Sequence, residues 1–302
     1  MSMSRLIAAS LVGLAAAPVI ATADPKFEFG KAEEVEKVKD VEYNASAEAG
    51  VVFTTGNSET TTATGGFKAA RKTGRNKFSV DGNVTYARAA LRVIEDRNGN
   101  GQIDNEDEIR TTRQVTAETF AGRIRYDRFL TKYNSLFIAA LGSRDLPAGK
   151  ERVLGAQAGY SRRLYKSDTV ESVAEIGYDF AFEDLVAGDG VAIHSLRAFV
   201  GLKAALTDGT TFDASSEVLS NLNELDLPTR TEPVELGRDT RVNLKAAVSA
   251  KLGKNTAFST SFEARFDNRP APLKIDNLAM GFVPEASKLD TVMKASLIYT
   301  FF

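Results

Sequence analysis

Val41 to Thr54 reads VEYNASAEAGVVFT, and its apolar residues fall at every second position: Val41, Tyr43, Ala45, Ala47, Ala49, Val51 and Phe53. Between them stand Glu42, Asn44, Ser46, Glu48, Gly50, Val52 and Thr54, which are mostly polar or small. Successive side chains of an extended chain point to opposite faces, so a period of two describes a strand with one apolar and one polar face. The stretch predicts a strand of about thirteen residues, well beyond the usual five or six of a globular domain.

The same rhythm recurs along the chain. Phe78, Val80, Val84 and Tyr86 oppose Ser79, Asp81, Asn83 and Thr85, while Ile176, Tyr178, Phe180 and Phe182 oppose Glu175, Asp179 and Glu183. Leu196, Ala198, Val200, Leu202 and Ala204 alternate with Arg197 and Lys203, and Val242, Leu244, Ala246, Val248 and Leu252 alternate with Arg241, Asn243, Lys245 and Lys251. Segments 60–71, 113–126, 135–143 and 152–164 alternate less cleanly and are read as strands too. The total is about twelve strands.

The connections alternate in length. KTGRN, DRFLTKYN, YKSDTV, TDGT and GKNT are short, whereas 89–112, 184–192, 220–238 and 268–288 are mostly longer. Short turns at one end and long loops at the other describe an all-β, transmembrane antiparallel outer-membrane β-barrel with both termini in the periplasm. The last strand agrees: Met293, Ala295, Leu297, Tyr299 and Phe301 form an apolar stripe, and the sequence closes on Phe302. An amphipathic final strand closed by an aromatic residue resembles the signal read by the barrel assembly machinery. Alternation also suits a soluble secreted β-sandwich or calycin-like barrel, with the apolar face turned inward.

Composition narrows the compartment. MSMSR, the uncharged run LIAASLVGLAAAPVI and the small-x-small Ala21-Thr22-Ala23 predict a signal peptide over 1–23. Residues 24–40 follow as a charged periplasmic tail, in which Glu33 and Lys37 have helical i, i+4 spacing, and the barrel occupies 41–302. Cysteine is absent, which removes disulfides and thiolate chemistry. A net charge of -2 gives no global attraction to nucleic acid, and GFKAARK lacks the aromatic interleaving of a nucleic-acid surface. The expected partner is outer-membrane lipid.

The segment YNASAEAGVVFTTGNSETTTATGGFKAARKTGRNKFSVDGNVTYARA, from Tyr43 to Ala89, resembles the opening of the YdiY-like family of salt-induced outer-membrane proteins, defined by domain of unknown function family 481. Its carriers are Gly50, the turn Gly56-Asn57-Ser58 with Thr60, the Thr-rich return strand, and the basic turn Lys72 to Lys77. The resemblance implies an outer-membrane barrel and supplies no catalytic residues.

EDRNGNGQIDNEDEIR, Glu95 to Arg110, has the ligand grammar of a calcium loop. Asp96, Asn98 and Asn100 offer side-chain oxygens, Gln102 a backbone carbonyl, Asp104 a water-mediated contact, and Asp107 the closing carboxylate. Gly101 suits the sharp turn and Ile103 the apolar anchor, with Glu108 a substitute ligand if the register slips. Asp at the twelfth position and the two Asn weaken the site toward dissociation constants of roughly 10⁻⁴ to 10⁻³ M. A solvated Asp/Asn/Gly hairpin tip is the competing reading.

Enzymatic signals are weak. His194 is the lone histidine, and Ser195 beside it points to the opposite face of a strand, against an esterase-type Ser-His pair. His194 shares the register of Leu196 and Ala198, the lipid-facing side. The polar faces carry Glu48, Asp81, Glu175, Asp179 and Glu263 early and Arg197, Lys203, Arg241, Lys245 and Arg265 mostly later. A lumen so lined either passes small hydrophilic solutes or is closed by cross-barrel ion pairs. The expectation is a non-enzymatic barrel of envelope integrity or stress response, against a lipid-acting hydrolase or a soluble binding protein.

Overall fold

The computed structural model describes residues 41–54, 60–94, 109–146, 148–186, 189–227, 232–271 and 287–301. They form twelve strands: β1 (Glu42–Thr54), β2 (Thr60–Thr73), β3 (Asn76–Ile94), β4 (Ile109–Phe129), β5 (Asn134–Asp145), β6 (Lys150–Lys166), β7 (Val170–Leu185), β8 (Val191–Thr207), β9 (Thr210–Asn221), β10 (Thr240–Lys251), β11 (Thr256–Asp267) and β12 (Leu289–Thr300). Each pairs antiparallel with its chain neighbours, and β12 returns to β1, so the sheet closes. Closure pairs the backbone groups that an open edge would leave to lipid.

Burial decides which face is which. Ile176 is 55% exposed while its neighbour Glu175 is 4% exposed, and Leu196 at 47% is followed by Arg197 at 1%. Tyr43, Phe78, Val84, Leu244, Met293 and Leu297 are exposed in the same way. An apolar exterior around a charged interior is the inverse of a soluble barrel or sandwich, whose apolar faces would meet one another. The soluble reading is therefore overturned.

The less regular segments have local causes. A bulge at Ala87/Arg88 shifts the partner in β4 from Ala117 to Val115 and moves Val115 to the outer surface, breaking the period between Val115 and Phe120. β6 carries register shifts at both ends, and beside the second, Leu164 and Tyr165 are both exposed. In β5, Phe137 points inward and is buried between outward Leu136 and Ile138, so three apolar residues run together.

The connections 74–75, 130–133, 167–169, 208–209 and 252–255 lie at one end and are all short; at the other end 146–149 is as short, whereas 95–108, 222–239 and 268–288 are long. Gly74 has a φ of 53°, a left-handed conformation that suits glycine in a two-residue hairpin. β12 finishes at this end too, since Thr300 N donates to Asn255 O at 2.9 Å and Phe301 N donates to Ala45 O at 2.9 Å. The seam between β1 and β12 is short, running from Ser46↔Thr300 to Ala49↔Leu297, whereas β1 and β2 pair from Glu42 to Thr54.

Candidate functional site in the barrel lumen

The inward faces divide into two walls. Over β4 to β8 they carry large groups that fill the interior: Arg123, Arg125, Asp127, Phe137, Gln157, Glu175, Glu183, Arg197 and Phe199 are all buried. Over β10, β11, β12, β1 and β2 the inward positions Thr62, Lys72, Ser259, Val292 and Ser296 are buried, but Ala247, Ser249, Ser261, Ser46, Thr64, Gly66 and Ala70 are only half-buried. Their outer side is the strand itself, so the accessible surface they keep opens into the lumen.

The filled wall is built around one carboxylate. Glu175 on β7 accepts from Arg125 of β4, Nη2 to Oε1 at 2.7 Å and Nη1 to Oε2 at 3.2 Å, and from Arg197 Nη1 of β8 at 2.7 Å. Arg125 also donates to Asp127 Oδ1 at 2.7 Å, and Arg197 Nε donates to Glu217 Oε1 of β9 at 2.5 Å. Glu217 Oε2 then accepts from Asn243 Nδ2 of β10 at 3.0 Å. Arg125 can reach over β5 and β6 because these strands offer a flat floor. Gly159 and Gly177 face each other in register, and a Cβ on Gly159 would stand 2.8 Å from the Phe137 ring. The ring lies where that Cβ would be, with the Arg125 guanidinium 4.0 Å from its centroid and that of Arg197 5.7 Å away.

A second layer lies nearer the long-loop end. Glu183 of β7 accepts from Lys150 Nζ at 3.0 Å and Arg241 Nη1 at 2.5 Å, and Arg241 Nε lies 3.3 Å from Asp239 and 3.5 Å from Asp267. Above it, two described residues of the connection between β9 and β10 turn inward. Leu225 and Val234 form a two-residue bridge, N to O at 3.0 and 2.8 Å, and bury themselves against Leu185, Val191, Ile193 and Ala271. Val191 and Ile193 are inward positions of β8, so this small lid caps the filled wall from within. Asn221 holds its base, receiving Asp239 N at 2.8 Å and donating to Glu235 O at 3.0 Å. Burial beneath the lid pushes the Asp239 carboxyl above its ordinary value, against the pull of Arg241.

Deeper on the open wall, beyond Arg241, three cations are paired between neighbours instead of across the barrel. Lys245 Nζ reaches Glu263 at 2.7 Å, Arg265 Nη2 reaches the same carboxylate at 3.0 Å, and Lys294 pairs with Glu48 across the β1/β12 seam.

The expected inward residues Glu48, Asp81, Glu175, Asp179, Glu263, Arg197, Arg241, Lys245 and Arg265 face the lumen with these partners, Asp81 taking Arg123 Nη2 at 2.8 Å and Asp179 taking Gln157 Nε2 at 2.7 Å. Lys203 keeps the inward register of Arg197 and Phe199, beside Glu171 and Asp213, and is exposed near the short-turn end of β8. One expectation fails: acids and bases do not separate along the chain, because Arg123 and Arg125 come early and Glu217 and Asp267 late. Their signal lay in the period-two series Arg123, Arg125, Asp127, hidden by the irregular start of β4.

His194 and Ser195 lie on opposite faces: Ser195 is buried inward, whereas His194 Nδ1 meets the hydroxyl of outward-facing Tyr178. The two therefore form no dyad. The candidate ligands Asp96, Asn98, Asn100, Gln102, Asp104 and Asp107 lie outside the described residues, as do the predicted signal peptide and tail. The strands that lead to the loop are described, and Ile94 pairs with Ile109, which brings its two ends together.

Among solved structures, the chain is similar to the NanC porin, at 7% identity and a TM-score of 0.45, covering 86% of this chain and 100% of that one. The translocator domain of the autotransporter NalP from Neisseria meningitidis gives 11% identity and a TM-score of 0.38, covering 90% and 92%. An anion-selective porin from Comamonas acidovorans gives 10% identity and a TM-score of 0.38, covering 87% and 99%. No curated protein matches the sequence. The family model described as protein of unknown function, DUF481, matches residues 47–301, and the chain belongs to that family.

Proposed function

We propose that this protein is a non-enzymatic barrel of the bacterial outer membrane that lets small hydrophilic solutes pass along one side of its lumen. The observation that carries the reading is the difference between the two inner walls: large side chains close the lumen against β4 to β8, while Ser46, Thr64, Gly66, Ala247 and Ser261 of β10 to β2 keep accessible surface facing inward. Paired charges along that side, Lys245 with Glu263 and Lys294 with Glu48, favour solutes that tolerate both signs. The apolar exterior supports placement in a bilayer, and the exposed outward stripe Met293, Leu297, Tyr299 and Phe301 supports recognition by the assembly machinery. The sequence resemblance adds a role in envelope integrity or stress response.

Planar-bilayer recording of the refolded mature chain tests the reading. Small, steady conductance steps are expected, and a Ser261→Phe variant should reduce them by filling the open wall. A silent bilayer for the correctly folded protein would make the barrel a structural one.

The loop 95–108 is proposed to be ordered by calcium, held by Asp96, Asn98, Asn100, Gln102, Asp104 and Asp107. Support comes from the ligand spacing and from the Ile94↔Ile109 pair at its base. Calorimetry at millimolar calcium should show binding that Asp96→Ala with Asp107→Ala abolishes; unchanged binding in that variant would sink the assignment.

A further inference from the structure

The cations inside the barrel are matched to carboxylates, but a second group of cations outside it is not. At the short-turn end of β2 to β6, Arg71, Arg128 and Arg162 stand on the outward face and Arg75 and Lys132 in the turns, all exposed. Among the described residues none of the five makes an ion pair, in contrast to Arg123, Arg125 and Arg197 within. The outward positions here are Ala69, Arg71, Thr73, Asn76, Phe78, Tyr126, Arg128, Asn134, Leu136, Tyr160, Arg162 and Leu164, and they include no acid.

Neutral groups surround the cations, and one of them holds Arg128 in place. The Asn76 side-chain oxygen accepts from Arg128 Nη1 at 2.6 Å and from the Tyr126 hydroxyl at 2.7 Å. Asn134, the register partner of Arg162, accepts from the Tyr160 hydroxyl at 2.5 Å and donates to Thr131 Oγ1 at 2.9 Å. Lys132 Nζ lies 5.1 Å from the centroid of the exposed Tyr133 ring. An amide orients a guanidinium without cancelling its charge, so Arg128 is positioned while the band stays positive.

We infer that this band is a docking surface for the anionic headgroups of inner-leaflet glycerophospholipids. The inference rests on the membrane placement proposed above, with the short turns in the periplasm. Phe78, Leu130, Leu136 and Leu164 are exposed beside the cations, so the band sits on the flank of the barrel where acyl chain gives way to headgroup. A glycan or a periplasmic protein would meet the end of the barrel, and would gain nothing from lateral cations set among apolar side chains.

The test uses the mature full chain refolded into nanodiscs holding equal phosphatidylglycerol and phosphatidylcholine, with retained lipid read by native mass spectrometry after detergent release. Wild type should keep phosphatidylglycerol preferentially. The triple variant Arg71→Gln, Arg128→Gln, Arg162→Gln should lose about tenfold in that preference. The triple Lys variant should keep it, as should Arg144→Gln with Arg152→Gln at the opposite rim, where both arginines already face carboxylates. Raising the salt from low ionic strength to about 1 M should erase the wild-type preference by screening, a reading that needs no variant to fold. Failure to insert would strike the membrane placement itself. Insertion with no lipid preference, a salt-insensitive preference, or sedimentation with isolated peptidoglycan in place of lipid selectivity would each overturn the inference.

Discussion

The two inner walls of the barrel solve the same problem in opposite ways. Each must place polar side chains inside a closed sheet whose exterior is apolar. The β4 to β9 side does it with a relay, Asp127, Arg125, Glu175, Arg197 and Glu217, in which each inner member serves two partners and a phenylalanine on a glycine floor supplies the platform. The β10 to β2 side uses short side chains and isolated pairs such as Lys245 with Glu263. The first fills space and couples distant strands; the second leaves space and couples neighbours.

The difference should appear first in stability. Glu175→Gln leaves two buried guanidiniums short of their shared carboxylate and is expected to cost about 3–5 kcal/mol in urea unfolding from lipid vesicles. A loss below about 1 kcal/mol would mean that water already serves these arginines and that the wall is not packed.

Backbone approach gives a sharper contrast. A Cβ on Gly177 would stand 2.5 Å from Ala158 O and 2.9 Å from Gly159 Cα, atoms that move only with the sheet. Gly177→Ala is expected to cost about 1–3 kcal/mol by overpacking. On the open wall, a Cβ on Gly66 meets the side chain of Glu48, with Oε1 at 2.8 Å and Cγ at 2.9 Å. That chain can swing into the lumen, so Gly66→Ala should cost less than about 1 kcal/mol. Equal losses at the two glycines would remove the distinction between the walls.

The smallest stability change should come with the clearest functional one. Ser261→Phe places a ring on the open wall and should leave unfolding within about 1 kcal/mol of wild type while lowering conductance. Lid variants sit between: Leu225→Asp sets a charge among Leu185, Val191, Ile193 and Val234, and should detach the lid and raise conductance. Conductance unchanged by Leu225→Asp and by Ser261→Phe would move the solute path elsewhere.

Much of this was legible along the chain. The number of strands, the outward face of nearly every regular strand and the alternation of short and long connections all followed from local period and turn residues. What was missed has specific causes. Phe137 breaks the apolar/polar rule because its floor is glycine, and no local pattern marks a glycine pair on the next two strands. Val115 changed face through a bulge whose partner lies on β3. Leu225 and Val234 read as apolar residues in a long loop, and nothing nearby announces that they turn inward.

The sequence by itself determined that the chain alternates, where its strands lie and which residues face inward, because a period of two is a property of each strand alone. Only the closed sheet decided that Arg125 meets Glu175 across two intervening strands, that Arg241 reaches Glu183, and that one wall is filled and the other open. Those meetings depend on curvature, stagger and the size of every side chain between the partners, quantities fixed when the barrel closes.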